Sequence, residues 1–223
     1  VTEAQKQDRV VRVRAMNRVL REELYPTAEI ALDFSNPWEL VVAVQLSAQC
    51  TDKRVNEVTT KLFKKYPTLE DYATADASAF ERDIFACGFY RNKTKNILAA
   101  ARVVRDVHGG EVPCTMAALL ALPGVARKTA NVVMATLGGT AEGIAVDTHV
   151  RRFAIRFDLS DYRDPVRIER DLMEIMPRGE WWGFNHRLVH YGRDFCPARV
   201  HDCAAHPLTK IYPPAVENWP KSR

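Results

Sequence analysis

The sequence predicts an all-α protein, and three observations carry that prediction. Nearly every periodic stretch repeats its apolar residues at helical spacing. Helix-start chemistry recurs along the chain, as at Asn36-Pro37-Trp38-Glu39, at Thr68 with Asp71, and at Asp164-Pro165. No alternating apolar and polar stretch is long enough to make a competing strand.

In chain order, residues 3–24 read as a charged amphipathic helix that stops before Pro26. Asn36, Pro37 and Glu39 supply an N-cap, a first-turn proline and a capping-box acid for the run LVVAVQLSA. That run is apolar on every side, so its helix is buried. A polar helix over about 51–65 ends before Pro67, and Thr68 starts another. Residues 77–86 and 92–107 supply two more, until His108-Gly109-Gly110 and Pro113 break the chain. A short helix near 115–121 leads into the turn at Pro123-Gly124, and the next helix, over about 126–137, is stopped by Gly138-Gly139. Helices near 148–157, 165–176 and 180–191 follow. The tail from 207, with four prolines, reads as irregular chain that packs back through Ile211, Tyr212 and Trp219.

A chain of 223 residues suits one large or two small domains and buries a real core. No apolar run is long enough to span a bilayer, and VTEAQKQDRVVRVR has no signal-peptide core, so the expected compartment is cytoplasmic. A net charge of +4 is compatible with a polyanionic partner without demanding one. Cys50, Cys87, Cys114, Cys196 and Cys203 are odd in number and irregular in spacing, which argues against a disulfide framework. Only Cys196 and Cys203 are close enough to share a local site.

Chemistry concentrates in the segment 116–136. It reads as a short helix, the turn Leu122-Pro123-Gly124-Val125-Ala126, and a second helix opening at Arg127-Lys128-Thr129-Ala130. Such a turn aims the first N–H groups of a helix outward, where they can hold a phosphate without reading sequence. A plain helical corner would look the same. Lys128 separates the two readings. A lysine in the first turn of a helix meets the positive end of the dipole, which favours its neutral amine, the form a nucleophile needs. Downstream, Ile144-Ala145-Val146-Asp147-Thr148 sets a carboxylate at a partly buried helix start. Asp147 alone reads as an N-cap; beside a poised amine it reads as a catalytic partner.

The stretches LPGVARKTANVVMATLGG and AVDTHVRR resemble the signature of the endonuclease III family of DNA glycosylases. The similarity extends to NPWELVVAVQLSAQCTD, GFYRNKTKNI, HGGEVP and HYGRDFC, nearly the whole chain. The resemblance implies a two-lobed helix-hairpin-helix glycosylase fold with a central cleft. One lobe is a six-helix domain over 30–140; the other joins 1–29 to 141–223. It also implies a partner, double-stranded DNA containing damaged bases or abasic sites, bound by a nucleoid-associated monomer.

By the same resemblance Lys128 attacks C1′ of the damaged nucleotide, expels the base, forms a Schiff base and cuts the strand by β-elimination. Asp147 stabilises positive charge on the sugar and assists proton transfers. Gln49 fills the space left by the flipped nucleotide, and Phe89 with Tyr90 wedges the opposite strand. His149 lines the nucleotide pocket. Arg91, Lys93 and Lys95 hold phosphates, and Gly124 and Ala126 shape the hairpin, with alanine at 126 where the family commonly has glycine. Read without the family, Gln49 fits a satisfied helix end, Phe89 and Tyr90 fit core aromatics, and His149 fits a buried hydrogen-bonded histidine.

The family often carries a four-iron, four-sulfur cluster on cysteines spaced C-x6-C-x2-C-x5-C. Cys196 and Cys203 fit the first two positions, but His206 and Tyr212 stand at the others. The expectation is therefore a degenerate loop at 196–212 with no cluster, no metal and no cofactor required for the chemistry. Three alternatives stay open: a monofunctional glycosylase, disfavoured by Lys128; a non-catalytic helix-hairpin-helix DNA-binding module; and a zinc protein using Cys196, His201, Cys203 and His206.

Overall fold

The computed structural model describes residues 2–27 and 29–219. Among these every regular element is helical and none is a strand. The α-helices are α1 (Glu3–Arg18), α2 (Pro37–Ser47), α3 (Asp52–Lys65), α4 (Leu69–Thr74), α5 (Ala77–Ile84), α6 (Tyr90–Val107), α7 (Met116–Leu120), α8 (Arg127–Thr136), α9 (Thr148–Arg156), α10 (Pro165–Ile175), α11 (Trp181–Asp194) and α12 (Pro207–Ile211). No described helix is long and apolar enough to cross a membrane. The chain forms two compact units, Ile30–Thr140 and the combination of Val1–Glu29 with Ala141–Arg223.

The first unit is built around α2. Asn36 accepts from Glu39 N–H and caps the helix, while the Glu39 side chain accepts from Ser35 N–H. Every residue from Trp38 to Leu46 is buried, as the all-round hydrophobicity requires. Tyr66, Tyr72 and Phe80 pack tilted or edge-on to one another at centroid separations of 5.3–5.8 Å, and Trp38 of α2 meets Tyr72 edge-on. α4 opens with a full capping box between Thr68 and Asp71.

In the second unit, α1 starts with a Thr2–Gln5 capping box and ends at Arg18, not at 24. The chain continues as a π-helical stretch, Val19–Leu24, in which Tyr25 N–H donates to Leu20 O at 2.7 Å. The charged face of α1 is only partly solvated: buried Arg9 pairs with Asp158 and Asp161. The core gathers Met16, Leu20, Phe153, Phe157, Phe184 and Tyr191, among others. The tail is more regular than its prolines suggest. Pro207 sits at the first turn of α12, where a missing N–H is harmless, and Pro213–Val216 form a 3-10 turn. Ile211, Tyr212 and Trp219 pack against the core; Pro220, the last of the four prolines, lies outside the described residues.

Candidate nucleic-acid interface and catalytic residues

The hairpin is held from inside. Thr115 caps α7, Leu122 and Val125 are buried anchors, and Val125 N–H donates to Leu122 O at 3.1 Å. Gly124 has φ +77°, a left-handed conformation that favours glycine. Space requires glycine as well, because a Cβ there would lie 2.7 Å from both Asn96 Cβ and Gln45 Oε1. Ala126 is the N-cap of α8 with φ −91° and ψ 169° and no side-chain cap. That is ordinary extended backbone, so alanine fits where the family commonly has glycine. Lys128 follows in the first turn, exposed, beside N–H groups that have no intrahelical carbonyl to bond.

Two other loops of the same unit carry Gln49 and Phe89. Gln49 has φ +54° and Phe89 has φ +47°; both side chains are exposed. Left-handed backbone in residues other than glycine is uncommon and costs free energy, so it persists only where neighbours enforce it. Phe89 is 65% exposed, which rules out the core-aromatic reading for that residue. Tyr90 is half-buried, packed on Phe85 at 4.9 Å between centroids, and Arg91 lies over its ring. Phe85 is itself 63% exposed and extends the aromatic surface; its place in FACGFY was the available signal.

Lys93 is a correction. It is 6% exposed, and its Nζ donates to Leu46 O and Cys87 O, both at 2.8 Å. It clamps the end of α2 to the turn before α6, turned inward to two carbonyls where a surface phosphate contact was expected. Burial lowers its pKa, and burial together with neighbouring Cys50 pushes the Cys87 thiol up to about 12. The clamp therefore sets the spacing of the loops that carry Gln49 and Phe89. Lys95 is exposed on the same helix.

In the other unit Asp147 caps α9. Its Oδ1 accepts from both His149 N–H at 2.9 Å and Val150 N–H at 2.8 Å, which leaves Oδ2 outside the cap. Ile144 and Ala145 anchor the approach in the core, and Asn185 Nδ2 donates to Ala145 O at 2.5 Å. His149, half-buried, has Nδ1 3.4 Å from Arg152 Nη2, and Arg152 donates onward to Cys196 O at 2.8 Å. A Cβ at Gly192 would overlap His149 Nδ1 and Arg152 Nη2, so any side chain there would displace the ends of both.

The loop after α11 is organised by Arg156, at the far end of α9 and fully buried. Its guanidinium donates to Cys196 Sγ at 2.8 Å, to Cys203 Sγ at 3.0 Å and to Ala215 O at 2.6 Å, and it lies 3.7 Å from the Trp219 ring centroid. Burial pushes the Cys196 thiol up against the opposing pull of Arg156. Burial, then His201 and Arg156, pull His206 below the usual imidazole range. Arg152 and Arg156 stand one helical turn apart amid Phe153 and Phe157, a row in which charge is out of place and points to buried partners.

The hairpin with its exposed lysine in one unit, and the capping aspartate in the other, are the features by which a class can be sought. The family model described as HhH-GPD superfamily base excision DNA repair protein matches residues 42–178. An endonuclease III of Synechocystis sp. is 46% identical over 197 residues, 88% of this chain and 90% of that protein. Two solved structures, a non-covalent endonuclease III–DNA complex and a trapped endonuclease III–DNA covalent intermediate, each align with a TM-score of 0.86 at 39% identity over 97% of this chain and 98% of theirs. The chain belongs to the endonuclease III family. It is an enzyme of base excision repair, a DNA glycosylase with abasic-site lyase activity, which sets aside the non-catalytic module.

Membership also overturns the expectation of a loop without metal or cofactor. The family normally binds a four-iron, four-sulfur cluster, and here Cys196, His201 and His206 bring ligand atoms within 4.8 Å of one another. Replacing two of the four cysteines has not dispersed the donors. Their chemistry has changed, however: two thiols bonded to Arg156 plus imidazoles are not the four-thiolate set of that cluster.

Proposed function

We propose that Lys128 is the nucleophile and Asp147 its carboxylate partner in removing oxidised pyrimidines, such as thymine glycol, from double-stranded DNA at the nucleoid. The observation that carries the reading is an exposed lysine in the first turn of α8, directly after a hairpin that the left-handed Gly124 shapes. The amine lone pair of Lys128 attacks C1′, and the glycosidic bond breaks as the base departs with its electron pair. Loss of the amine proton and opening of the sugar give a Schiff base. Removal of a C2′ proton then expels the 3′ phosphate by β-elimination. Asp147, fixed through Oδ1 by its cap, offers Oδ2 to the positive charge that develops on the sugar and to the proton transfers.

Recognition follows from the loops around Lys93. Gln49 enters the gap left by the extruded nucleotide, Phe89 with Tyr90 props the opposite strand, and Arg91 and Lys95 meet phosphates. His149 lines the nucleotide pocket. The solved covalent endonuclease III–DNA intermediate supports a covalent route. Single-turnover reaction of a duplex carrying one oxidised pyrimidine tests it. In Lys128→Gln both base release and strand cleavage should vanish while lesion binding survives. Base release that persists as cleavage disappears would mean that water, not Lys128, attacks C1′.

A further inference from the structure

The loop from Cys196 to His206 contains chemistry that base excision does not use. Cys196, His201 and His206 each offer a ligand atom, all within 4.8 Å of one another. Hydrogen bonding shows which imidazole nitrogens are open. His201 Nδ1 lies 2.6 Å from Arg199 O, so this nitrogen carries the proton and Nε2 keeps its lone pair. That Nε2 is buried with no hydrogen-bond partner among the described residues, and so is His206 Nδ1. Buried imidazole nitrogens without partners cost free energy, and two of them beside one buried thiol is a costly coincidence unless something binds there. A ring held by its far nitrogen against a backbone carbonyl is also how ligating histidines are oriented.

We propose that Cys196 Sγ, His201 Nε2 and His206 Nδ1 bind a single borderline-soft divalent ion, zinc foremost, as a structural site. Sulfur and imidazole donors select zinc-like ions over magnesium or calcium. Ligand bonds of about 2.0–2.3 Å in a tetrahedral site put donors roughly 3.5 Å apart, so the cluster needs only a modest contraction. Cys203, joined to Cys196 through Arg156, is a second buried thiol of the same loop that could supply the fourth ligand. The guanidinium opposes a second cation, and deprotonation of both sulfurs offsets it, leaving Arg156 and the two thiolates with one net negative charge. An ion here would close the 196–206 loop on itself, and Arg156, at the end of the helix that Asp147 caps, joins that loop to α9 through both sulfurs. The proposal does not depend on the roles of Lys128 and Asp147.

The test uses the full chain, freed of metal by a chelator and titrated with Co2+ and then Zn2+. The expected result is one equivalent bound, tetrahedral cobalt absorption with a thiolate charge-transfer band, displacement by Zn2+, and a higher melting temperature. The double variant His201→Ala/His206→Ala removes half-exposed side chains, and circular dichroism checks its fold. It should bind at least about tenfold more weakly, as loss of metal-site groups commonly does. Uptake below one equivalent, unchanged affinity in the folded double variant, or a freshly purified protein holding four irons with thiolate-to-iron bands would each overturn the proposal.

Discussion

Gly124→Ala gives the sharpest test of how the hairpin is built. The native φ of +77° places a non-glycine residue in left-handed backbone at about 1–2 kcal/mol. The new Cβ would also sit 2.7 Å from Asn96 Cβ and from Gln45 Oε1. Gln45 is buried and Asn96 half-buried, so relief requires α2, α6 or the turn to move, an overpacking cost of about 1–3 kcal/mol. The combined loss is about 2–5 kcal/mol, read from urea unfolding with the slope checked for constancy. Ala126→Gly is the matched control: its extended backbone suits either residue, and the loss should stay within about 1 kcal/mol. If Gly124→Ala lost less than about 1 kcal/mol, or no more than Ala126→Gly, the hairpin would not be constrained as described.

Three further outcomes follow from other residues. Asp147→Asn keeps an acceptor for the α9 cap, so the melting temperature should hardly move, while single-turnover base release should fall by about 10²–10⁴-fold; equal losses in stability and rate would leave Asp147 a structural cap. Lys93→Met should destabilise the fold by about 1–3 kcal/mol, by stripping two buried carbonyls of their donor, without changing the salt dependence of DNA binding, whereas Arg91→Ala should reduce the salt slope by about one; a Lys93 variant that lowers the slope would restore it as a phosphate contact. Gln49→Ala should slow reaction at a well-paired lesion more than at a mispaired one, because unstacking is already partly complete in the latter; equal slowing would make Gln49 a packing residue.

The helical architecture was legible because helix starts are local chemistry. Asn36, Thr68 and Asp164 each bond an N–H three residues on, as their positions foretold. The burial of α2 followed from the same local logic, since a helix apolar on all sides has no solvent face. Lys93 was misread because charge in sequence says nothing of depth: a long side chain between two loops can turn inward to a pair of carbonyls. The π-helical end of α1 and the ordered tail depend on packing against residues far along the chain. The C-terminal loop was misjudged for a related reason. Counting cysteines assumed that spacing determines ligation, whereas Arg156, distant in sequence, gathers Cys196 and Cys203 and leaves two imidazole nitrogens facing inward. The left-handed backbone of Gln49 and Phe89 has no signature in residue type at all.

If Lys128 is the nucleophile, the covalent link to DNA forms at its amine. Borohydride added during turnover on a duplex with one oxidised pyrimidine reduces the Schiff base to a stable amine, and peptide mass mapping of the adduct then finds the attachment site. The expected result is a single adduct on the peptide containing Lys128, and none in Lys128→Gln protein that still binds the lesion and melts like the parent. An adduct on any other amine, or trapping undiminished in the variant, would contradict it.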